Sequence, residues 1–302
     1  MPDKILSIIR QNKKNIIAAG IIFIMFVVFF IFLARSPVII VADHSSIQIY
    51  GEKRVSRELK LTSLVLFRRV RNVPVADEAG NDIIRFAIAD VSAKPYCVIF
   101  PLRFVRAARL FHEDNPQIPV VLLEGRYLKD DIISVIGGDP NDYFIYKTDI
   151  DAEFHKAGLI AAALDAGKDG KVVVFLDQYM QTQAVNAFLQ AINTKKAPID
   201  AVFFTSFSQF YEISDLSCAV LAGKGIEFLE SNQESPVIFF TWIDPSVLPE
   251  NVVMVVNDSP WAQAVQAVRM VGSRSANGQL KSKFQIINRK NIDSKTLRKL
   301  KK

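Results

Sequence analysis

The hydrophobic pattern opens with an uninterrupted apolar run near the N-terminus. Residues 16–34 read IIAAGIIFIMFVVFFIFLA and carry no charge. As a helix, this run would span about 28 Å, close to the roughly 30 Å hydrocarbon core of a bilayer. Four basic residues precede the run and only Arg35 follows it closely. The positive-inside bias therefore predicts residues 1–15 in the cytoplasm and the main body outside.

A cleaved signal peptide is the alternative interpretation of the same run. The run is long for a signal peptide, and Phe32 would occupy position −3 of a cleavage site after Ala34, where a small residue is usual. These features favour an uncleaved anchor, and both interpretations stay open. With the anchor retained, the chain is a single-pass protein of the cell (inner) membrane whose body is extracytoplasmic or periplasmic.

After Arg35 the pattern changes to short β-branched runs that alternate with segments of helical periodicity. Such runs are typical of strands buried on both faces, and repeated strand–helix units imply parallel sheets covered by helices. Two groups of units, separated by the polar stretch 126–142, predict two α/β lobes. The predicted strands include 37–43, 95–100, 118–125, 143–149, 171–177, 200–206, 236–242 and 251–258, and the predicted helices include 78–92, 102–112, 152–166, 180–193, 208–222 and 259–272.

The length and the charge distribution of the chain exclude some classes of protein. The chain has 302 residues, half of them apolar, which is enough for two folded domains and excludes a largely disordered chain. The net charge of +6 would suit nucleic-acid binding, but residues 1–15 contribute +3, Arg35 contributes +1 and residues 289–302 contribute +6. Residues 36–288 therefore carry a net charge of −4, and we expect no nucleic-acid partner.

No enzyme motif stands out. The turn after the first predicted strand lacks the G-x-G-x-x-G of a dinucleotide site, and there is no G-x-S-x-G elbow. The three histidines are scattered without the spacing of a zinc site. Cys97 and Cys218 are too few for a disulfide scaffold, and we expect them to be buried thiols in different lobes. The sequence thus predicts a protein without catalytic residues, metal or cofactor.

Polar side chains follow most of the predicted strands. Open parallel sheets bind ligands at the carboxyl ends of their strands, so these positions form the candidate ligand-binding set. Aromatic residues in the same regions would supply flat walls for a ligand. The candidate residues are Asp43, His44, Ser45, Tyr50, Glu124, Arg126, Asp177, Gln178, Tyr179, Thr205, Trp242, Asp244, Asn257 and Asp258.

Five segments of the body match, in order, the parts of a known two-lobed fold. NPQIPVVLLEG (115–125) is similar to a strand that leaves the first lobe, and KTDIDAEFHKAGLIAAAL (147–164) to the start of the second. FTWID (240–244) resembles the return strand, VVNDSPWAQAVQAV (255–268) a segment with a ligand-contacting polar pair, and FQIINRKNID (284–293) the closing strand. The series resembles class I periplasmic binding proteins of the sugar-binding type, which are related to the ligand domains of bacterial repressors.

This resemblance implies two parallel-sheet α/β lobes joined by a hinge of three crossings, which close on a small ligand. It assigns residues 36–125 with 243–282 to the first lobe and 126–242 with 283–293 to the second, followed by a basic tail, 294–302. The implied function is that of a membrane-tethered extracytoplasmic solute-binding protein. It would capture a small polar ligand, a sugar or a nucleoside-like molecule, for transport or sensing, with an ABC transporter or a sensor as partner.

The sequence departs from the resemblance at ligand-contacting positions. Ile47-Gln48-Ile49 and Tyr50 stand where paired aromatic residues are usual, and QTQAVNAFLQAI (181–192) lacks the usual arginine. These departures keep a second hypothesis open, in which the fold has lost its ligand and serves as an interaction or scaffold module of the envelope. A third hypothesis is an envelope enzyme that acts through Asp177 or Asp244.

Overall fold

The computed structural model describes residues 2–125, 139–165, 170–177, 181–193, 199–210, 213, 215–231 and 234–288. Its first element is helix α1 (Pro2–Ala34), which contains the apolar segment Ile17–Ala34. This segment has a mean hydropathy of 3.1, and none of it is buried against the body. By length and composition it can cross a membrane, and a signal sequence near an N-terminus would look the same.

The body that follows α1 contains two six-stranded sheets. The first sheet is built from β1 (Val38–Asp43), β2 (Val70–Val75), β3 (Cys97–Pro101), β4 (Val120–Gly125), β5 (Phe144–Thr148) and β11 (Asn277–Leu280). The second sheet is built from β6 (Lys171–Leu176), β7 (Asp200–Phe204), β8 (Leu216–Ala222), β9 (Val237–Phe240), β10 (Val252–Asn257) and β12 (Lys283–Ile286).

Both sheets are mainly parallel. The first has the order β11-β5-β4-β3-β1-β2, and all of its neighbouring strands pair in parallel. The second has the order β12-β10-β9-β8-β6-β7, with only β12 antiparallel to its neighbour. The predicted fold class, an apolar N-terminal helix followed by two parallel-sheet α/β lobes, is confirmed.

Helices cover both faces of each sheet. They are α2 (His44–Tyr50), α3 (Glu52–Leu66), α4 (Asn81–Val91), α5 (Val105–Asp114), α6 (Ile150–Asp165), α7 (Gln181–Ile192), α8 (Glu227–Ser231) and α9 (Pro260–Gly272). Helices α4 and α5 share one apolar core with the first sheet, and α3 and α9 share another core on its opposite face. Helices α6 and α7 cover one face of the second sheet, and α8 lies on the other. This two-sided burial explains why strand β1 is apolar throughout its buried length up to Asp43.

Within the described ranges, the chain passes between the two sheets three times. The first passage follows β5, because α6 packs against the second sheet. The second follows β10, because α9 packs back on the first sheet, and the third lies between β11 and β12. The passages are neighbours: Asp149 N donates to Leu280 O over 2.9 Å, and Gln263 Nε2 donates to Thr148 Oγ1 over 3.2 Å.

Sheet membership differs from the sequence assignment at two strands. The sequence assigned the β5 region to the second lobe and the β10 region to the first, whereas β5 pairs with β4 and β11, and β10 pairs with β9 and β12. A buried apolar run specifies a strand but not its partner. Only the cross-strand pairing decides which sheet such a strand joins. The predicted tail 294–302 lies outside the described residues.

One predicted element is wrong. Residues 208–222 were expected to form a helix, but a short 3-10 turn at Phe207–Gln209 is followed by strand β8 (Leu216–Ala222). LSCAVLA is a short run rich in small and apolar residues, and it is inserted between β6 and β9, where it is buried on both faces. Cys218 therefore lies on a strand, not on a helix, although its thiol is buried as expected.

Candidate functional site

A cavity of about 250 Å³ lies at the carboxyl end of the first sheet. Its floor is formed by the ends of β1, β3 and β4, and its cover is formed by residues that follow β9 and β10 of the second sheet. The lining residues are Ala42, Asp43, Ser46, Pro101, Leu102, Arg103, Leu123, Glu124, Gly125, Trp242, Asp258, Pro260 and Gln263. Parallel sheets bind ligands at this end, so the cavity is the candidate site.

Asp43 and Arg103 form an ion pair in the floor of the cavity. Asp43 is the last residue of β1 and its side chain is only 2% exposed, whereas the side chain of Arg103, just after β3, is 48% exposed. Arg103 Nη1 donates to Asp43 Oδ2, and Nη2 donates to the carbonyl oxygen of Asp77 over 3.2 Å. Because a guanidinium carries five N–H groups, these bonds leave donors for a ligand.

Glu124 is the buried acid of the cavity. It lies near the end of β4, and its side chain is 6% exposed. Oε2 lies 3.6 Å from Nζ of Lys147, and no residue in the described part of the chain donates a hydrogen bond to it. Burial raises the pKa of this carboxyl above its ordinary value, and the nearby Lys147 ammonium opposes the shift. A ligand with a hydrogen-bond donor would satisfy this oxygen.

The cover of the cavity comes from the loop after β9 and from the chain passage between β10 and α9. Trp242, just after β9, packs its ring 5.9 Å from the ring of Trp261. Gln263, in the first turns of α9, is buried and bonds to Thr148 at the end of β5. Asp258 lies between β10 and α9. A ligand in this cavity would therefore contact residues held by both sheets.

Some predicted site residues line this cavity and others do not. Asp43, Glu124, Trp242 and Asp258 are among its lining residues. Asn257 and Tyr50 are buried next to it and bind each other, with Asn257 Nδ2 donating to the Tyr50 hydroxyl over 3.2 Å. Tyr50 belongs to the apolar core under α2 and α9. Whether any of these residues binds a ligand stays a prediction.

Three further predicted residues, His44, Ser45 and Asp244, are not among the residues that line the cavity. His44 is exposed at the start of α2. Ser45 donates from its backbone nitrogen to Asp77 Oδ1 over 3.0 Å and bonds Oδ2 through its hydroxyl. These bonds lower the pKa of the Asp77 carboxyl. Asp244 accepts bonds from the backbone and hydroxyl of Ser246, which cap a 3-10 turn.

The predicted residues of the second sheet lie at the ends of other strands. Asp177 follows β6, and its backbone nitrogen donates to Ala222 O over 3.2 Å. Thr205 follows β7, and its backbone and hydroxyl both donate to Gln209 Oε1. Neither residue is among those lining the cavity. Arg126, Gln178 and Tyr179 lie outside the described residues, so their placement stays a prediction.

Three polar residues of the cavity, Ser46, Arg103 and Gln263, were not predicted from the sequence. Arg103 comes two positions after the end of β3, and Gln263 lies within α9, four positions beyond its serine cap. The strand-end rule would have found Arg103 if the 3-10 turn Leu102–Phe104 had been predicted, because that turn keeps Arg103 beside the strand tip. No pattern in the sequence marks Gln263. Within the described ranges, no cluster of three histidine, cysteine or acidic residues is arranged to hold a metal ion.

Comparison with known proteins identifies the architecture. No protein-family model and no curated protein sequence matches the chain. A transcriptional activator of the comK gene from Bacillus halodurans is similar in structure, with a TM-score of 0.58 at 11% identity, over 88% of this chain and 95% of that one. An ABC transporter system solute-binding protein from Conexibacter woesei gives a TM-score of 0.58 at 10% identity, over 89% of this chain and 94% of that one. The chain therefore has the fold of type I periplasmic binding proteins.

Proposed function

We propose that this protein is a membrane-tethered extracytoplasmic solute-binding protein that captures a small polar ligand, a sugar or a nucleoside-like molecule, between its lobes. The observation that carries the proposal is the buried Glu124 carboxylate, whose Oε2 accepts no hydrogen bond from the described residues. A buried acceptor without a donor is costly, and a ligand hydroxyl or N–H group would remove that cost.

The cavity offers the mixture of groups that a hydroxyl-rich molecule needs. Arg103 supplies donors, Glu124 supplies an acceptor and Trp242 supplies an apolar ring face. The volume of about 250 Å³ lies just below the ~300–1,000 Å³ typical of pockets for drug-sized ligands. This size favours a ligand no larger than a single sugar ring or a small nucleoside-like molecule.

Ligand capture would use the three chain passages as a hinge. The floor of the cavity belongs to the first sheet and Trp242 follows a strand of the second, so rotation of one lobe against the other would open and close the site. A ligand that contacts both lobes binds the closed form better and shifts the population toward it. An ABC transporter or a sensor in the membrane would then bind the closed form.

The membrane tether is the second part of the proposal. The apolar segment Ile17–Ala34 is long enough to span a bilayer, and none of it is buried among the described residues. Intact-mass measurement of the protein purified from membranes should give a chain that retains residues 1–35. A mature chain that begins near residue 35 and leaves the membrane fraction in a high-salt wash would refute the tether.

Ligand binding is tested by thermal unfolding of the full chain in detergent with single sugars and nucleosides. A ligand at a hundred times its dissociation constant stabilises the fold by about 2.7 kcal/mol. Glu124→Gln should weaken binding about ten- to hundredfold, because a hydrogen bond to a charged group is worth about 1.5–3 kcal/mol. Glu113→Gln, which removes a half-exposed carboxylate on α5, is the matched control and should leave affinity unchanged.

A scaffold role without a ligand is the competing function. The observation that favours it is the Asp43–Arg103 ion pair, because a cavity whose cation is already paired needs no ligand to neutralise it. If no sugar or nucleoside raises the unfolding temperature, the solute-binding proposal fails and the scaffold function is preferred.

A further inference from the structure

We infer that a groove beside the C-terminal end of α1 is a binding site for the head group of an anionic phospholipid. The inference rests on the membrane tether of the proposed function, and it concerns a surface separate from the cavity. The groove has a volume of about 650 Å³ and lies between the last turn of α1, helix α3 and strand β2. Its lining residues are Phe32, Ser56, Leu59, Lys60, Ser63, Leu64, Arg69, Val70, Arg71 and Asn72.

The position of the groove follows from Phe32. This residue lies in the apolar segment Ile17–Ala34 and also lines the groove, and its ring lies 5.7 Å from the ring of Phe67 in the body. With the segment across a bilayer, Phe32 lies at the outer end of the hydrocarbon core. Phe67 and the groove must then lie at the level of the lipid head groups.

The junction between helix and body is fixed by hydrogen bonds. Arg68 Nη1 donates to Ser36 O over 2.7 Å, and Arg35 Nη1 donates to Phe67 O over 3.2 Å. The Arg35 guanidinium also lies 5.3 Å from the centre of the Phe67 ring. These contacts join residues 35–36 to residues 67–68, so the body keeps this side toward the membrane instead of rotating freely on a flexible linker.

The charge of the groove selects an anion. Lys60, Arg69 and Arg71 line it, and no carboxylate is among its lining residues. None of these three cations has a carboxylate within ion-pair distance among the residues that the structure describes. Nε of Arg69 is buried and finds no acceptor in the same part of the chain. Nη2 of Arg69 donates to Arg35 O over 3.5 Å, so a lipid phosphate would supply the acceptor that Nε lacks.

The apolar rim of the groove selects a lipid over a soluble anion. Leu61, Leu64 and Val65 occupy one exposed face of α3 at helical spacing, and Leu64 is 72% exposed. Large exposed apolar side chains beside basic residues are the pattern by which helices bind at a membrane interface. Because this face is continuous with the membrane segment through Phe32 and Phe67, a phospholipid fits it better than a soluble partner protein does.

The first test measures whether the rim contacts lipid. The native thiols Cys97 and Cys218 are both buried, so a single surface cysteine can be labelled with an environment-sensitive fluorophore. The full chain carrying Leu64→Cys is inserted into vesicles of equal parts phosphatidylcholine and phosphatidylglycerol. Its emission should shift to the blue and be quenched by head-group spin labels. Phe86→Cys on α4, equally exposed at 72%, is the matched control and should stay solvent-like.

The second test measures charge selectivity. Quenching of the Leu64 probe by spin-labelled phosphatidylglycerol, relative to spin-labelled phosphatidylcholine, should fall about fivefold for each cation removed by Lys60→Gln and Arg71→Gln. Lys94→Gln with Arg106→Gln removes the same charge from exposed positions elsewhere on the lobe and should not change this ratio.

Three outcomes would contradict the inference, and they differ in what else they overturn. A chain that inserts into vesicles but gives equal quenching by both lipids overturns the lipid site alone. If the chain is a dimer in detergent and the probe already shows its full blue shift there, a second copy of the chain occupies the groove. That outcome likewise overturns the lipid site. A chain that fails to co-float with vesicles of either composition overturns the tether as well.

Discussion

Asn257 donates a hydrogen bond from Nδ2 to the hydroxyl oxygen of Tyr50 over 3.2 Å. Asn257 ends β10 in the second sheet, and Tyr50 ends α2 beside the first sheet, so the bond joins the two lobes at one of the chain passages. Both residues are buried, and the Tyr50 ring packs 4.7 Å from the ring of Trp261. Two residues that the sequence predicted as ligand contacts thus bind each other.

Tyr50→Phe should destabilise the fold by about 1–3 kcal/mol, because it leaves the buried amide of Asn257 without its acceptor. Chemical unfolding of the full chain in detergent, followed by tryptophan fluorescence, measures the change. Tyr96→Phe is the matched control. The Tyr96 hydroxyl makes no hydrogen bond within the described residues, and the ring that stacks on Arg68 is retained. Equal unfolding free energies for the two variants would show that the Asn257–Tyr50 bond contributes nothing.

Gly51 connects α2 to α3 with a positive φ of 90°, a conformation that favours glycine. A β-carbon at this position would collide with the Asp244 carboxylate, which is held nearby by a 2.7 Å bond from Asp244 N to Ile49 O. Gly51→Ala should therefore cost about 1–3 kcal/mol of unfolding free energy.

Gly80→Ala is the control for that substitution. Gly80 precedes α4 with φ −64°, and no atom would lie within 4 Å of its added β-carbon. Its unfolding free energy should stay within about 0.5 kcal/mol of the wild-type value. If Gly51→Ala is equally mild, the contact between α2 and the Asp244 segment is not rigid.

The sequence predicted where the strands end better than it predicted whether the side chains at those ends face the cavity. Asp43 and Glu124 end apolar strands and line the cavity, as the rule for parallel sheets requires. Asn257 also ends a strand and Tyr50 ends helix α2, but both side chains are buried and bind each other, and the Tyr50 ring packs on Trp261 of α9. A strand end identifies a position on the sheet edge, whereas the direction of its side chain depends on the helices that follow.

The hydrophobic pattern of the sequence did not predict which strands pair with each other. β5 and β10 were predicted as strands, yet each joins the opposite sheet from the one expected, since neighbours in a parallel sheet are chosen by contacts far apart in sequence. Helix 208–222 failed for a related reason. The run LSCAVLA is apolar apart from Ser217, and periodicity alone cannot separate a buried strand from a buried helix.

The Glu124 carboxyl gives the stability of the fold a defined pH dependence. Its pKa is raised in the folded state, mainly by burial, so the native protein binds this proton more tightly than the unfolded chain does. The contribution of this carboxyl to the free energy of unfolding is fully present below pH 4.5, the ordinary value of its pKa. This contribution is lost as the pH rises through the raised pKa of the folded state. Glu124→Gln removes that loss, so its unfolding temperature relative to wild type should increase with pH across this window.

Lys147 provides the internal check, since its ammonium partly opposes the upward shift of the Glu124 pKa. Lys147→Met should raise that pKa further and steepen the loss of stability with rising pH. In the Glu124→Gln background the same lysine substitution should not alter the pH profile, because no carboxylate remains to respond. Thermal unfolding of the four chains from pH 4 to pH 8 measures both effects. A Glu124→Gln profile parallel to the wild-type profile would mean that this carboxyl does not carry the shift, and the case for a buried acceptor awaiting a ligand would weaken with it.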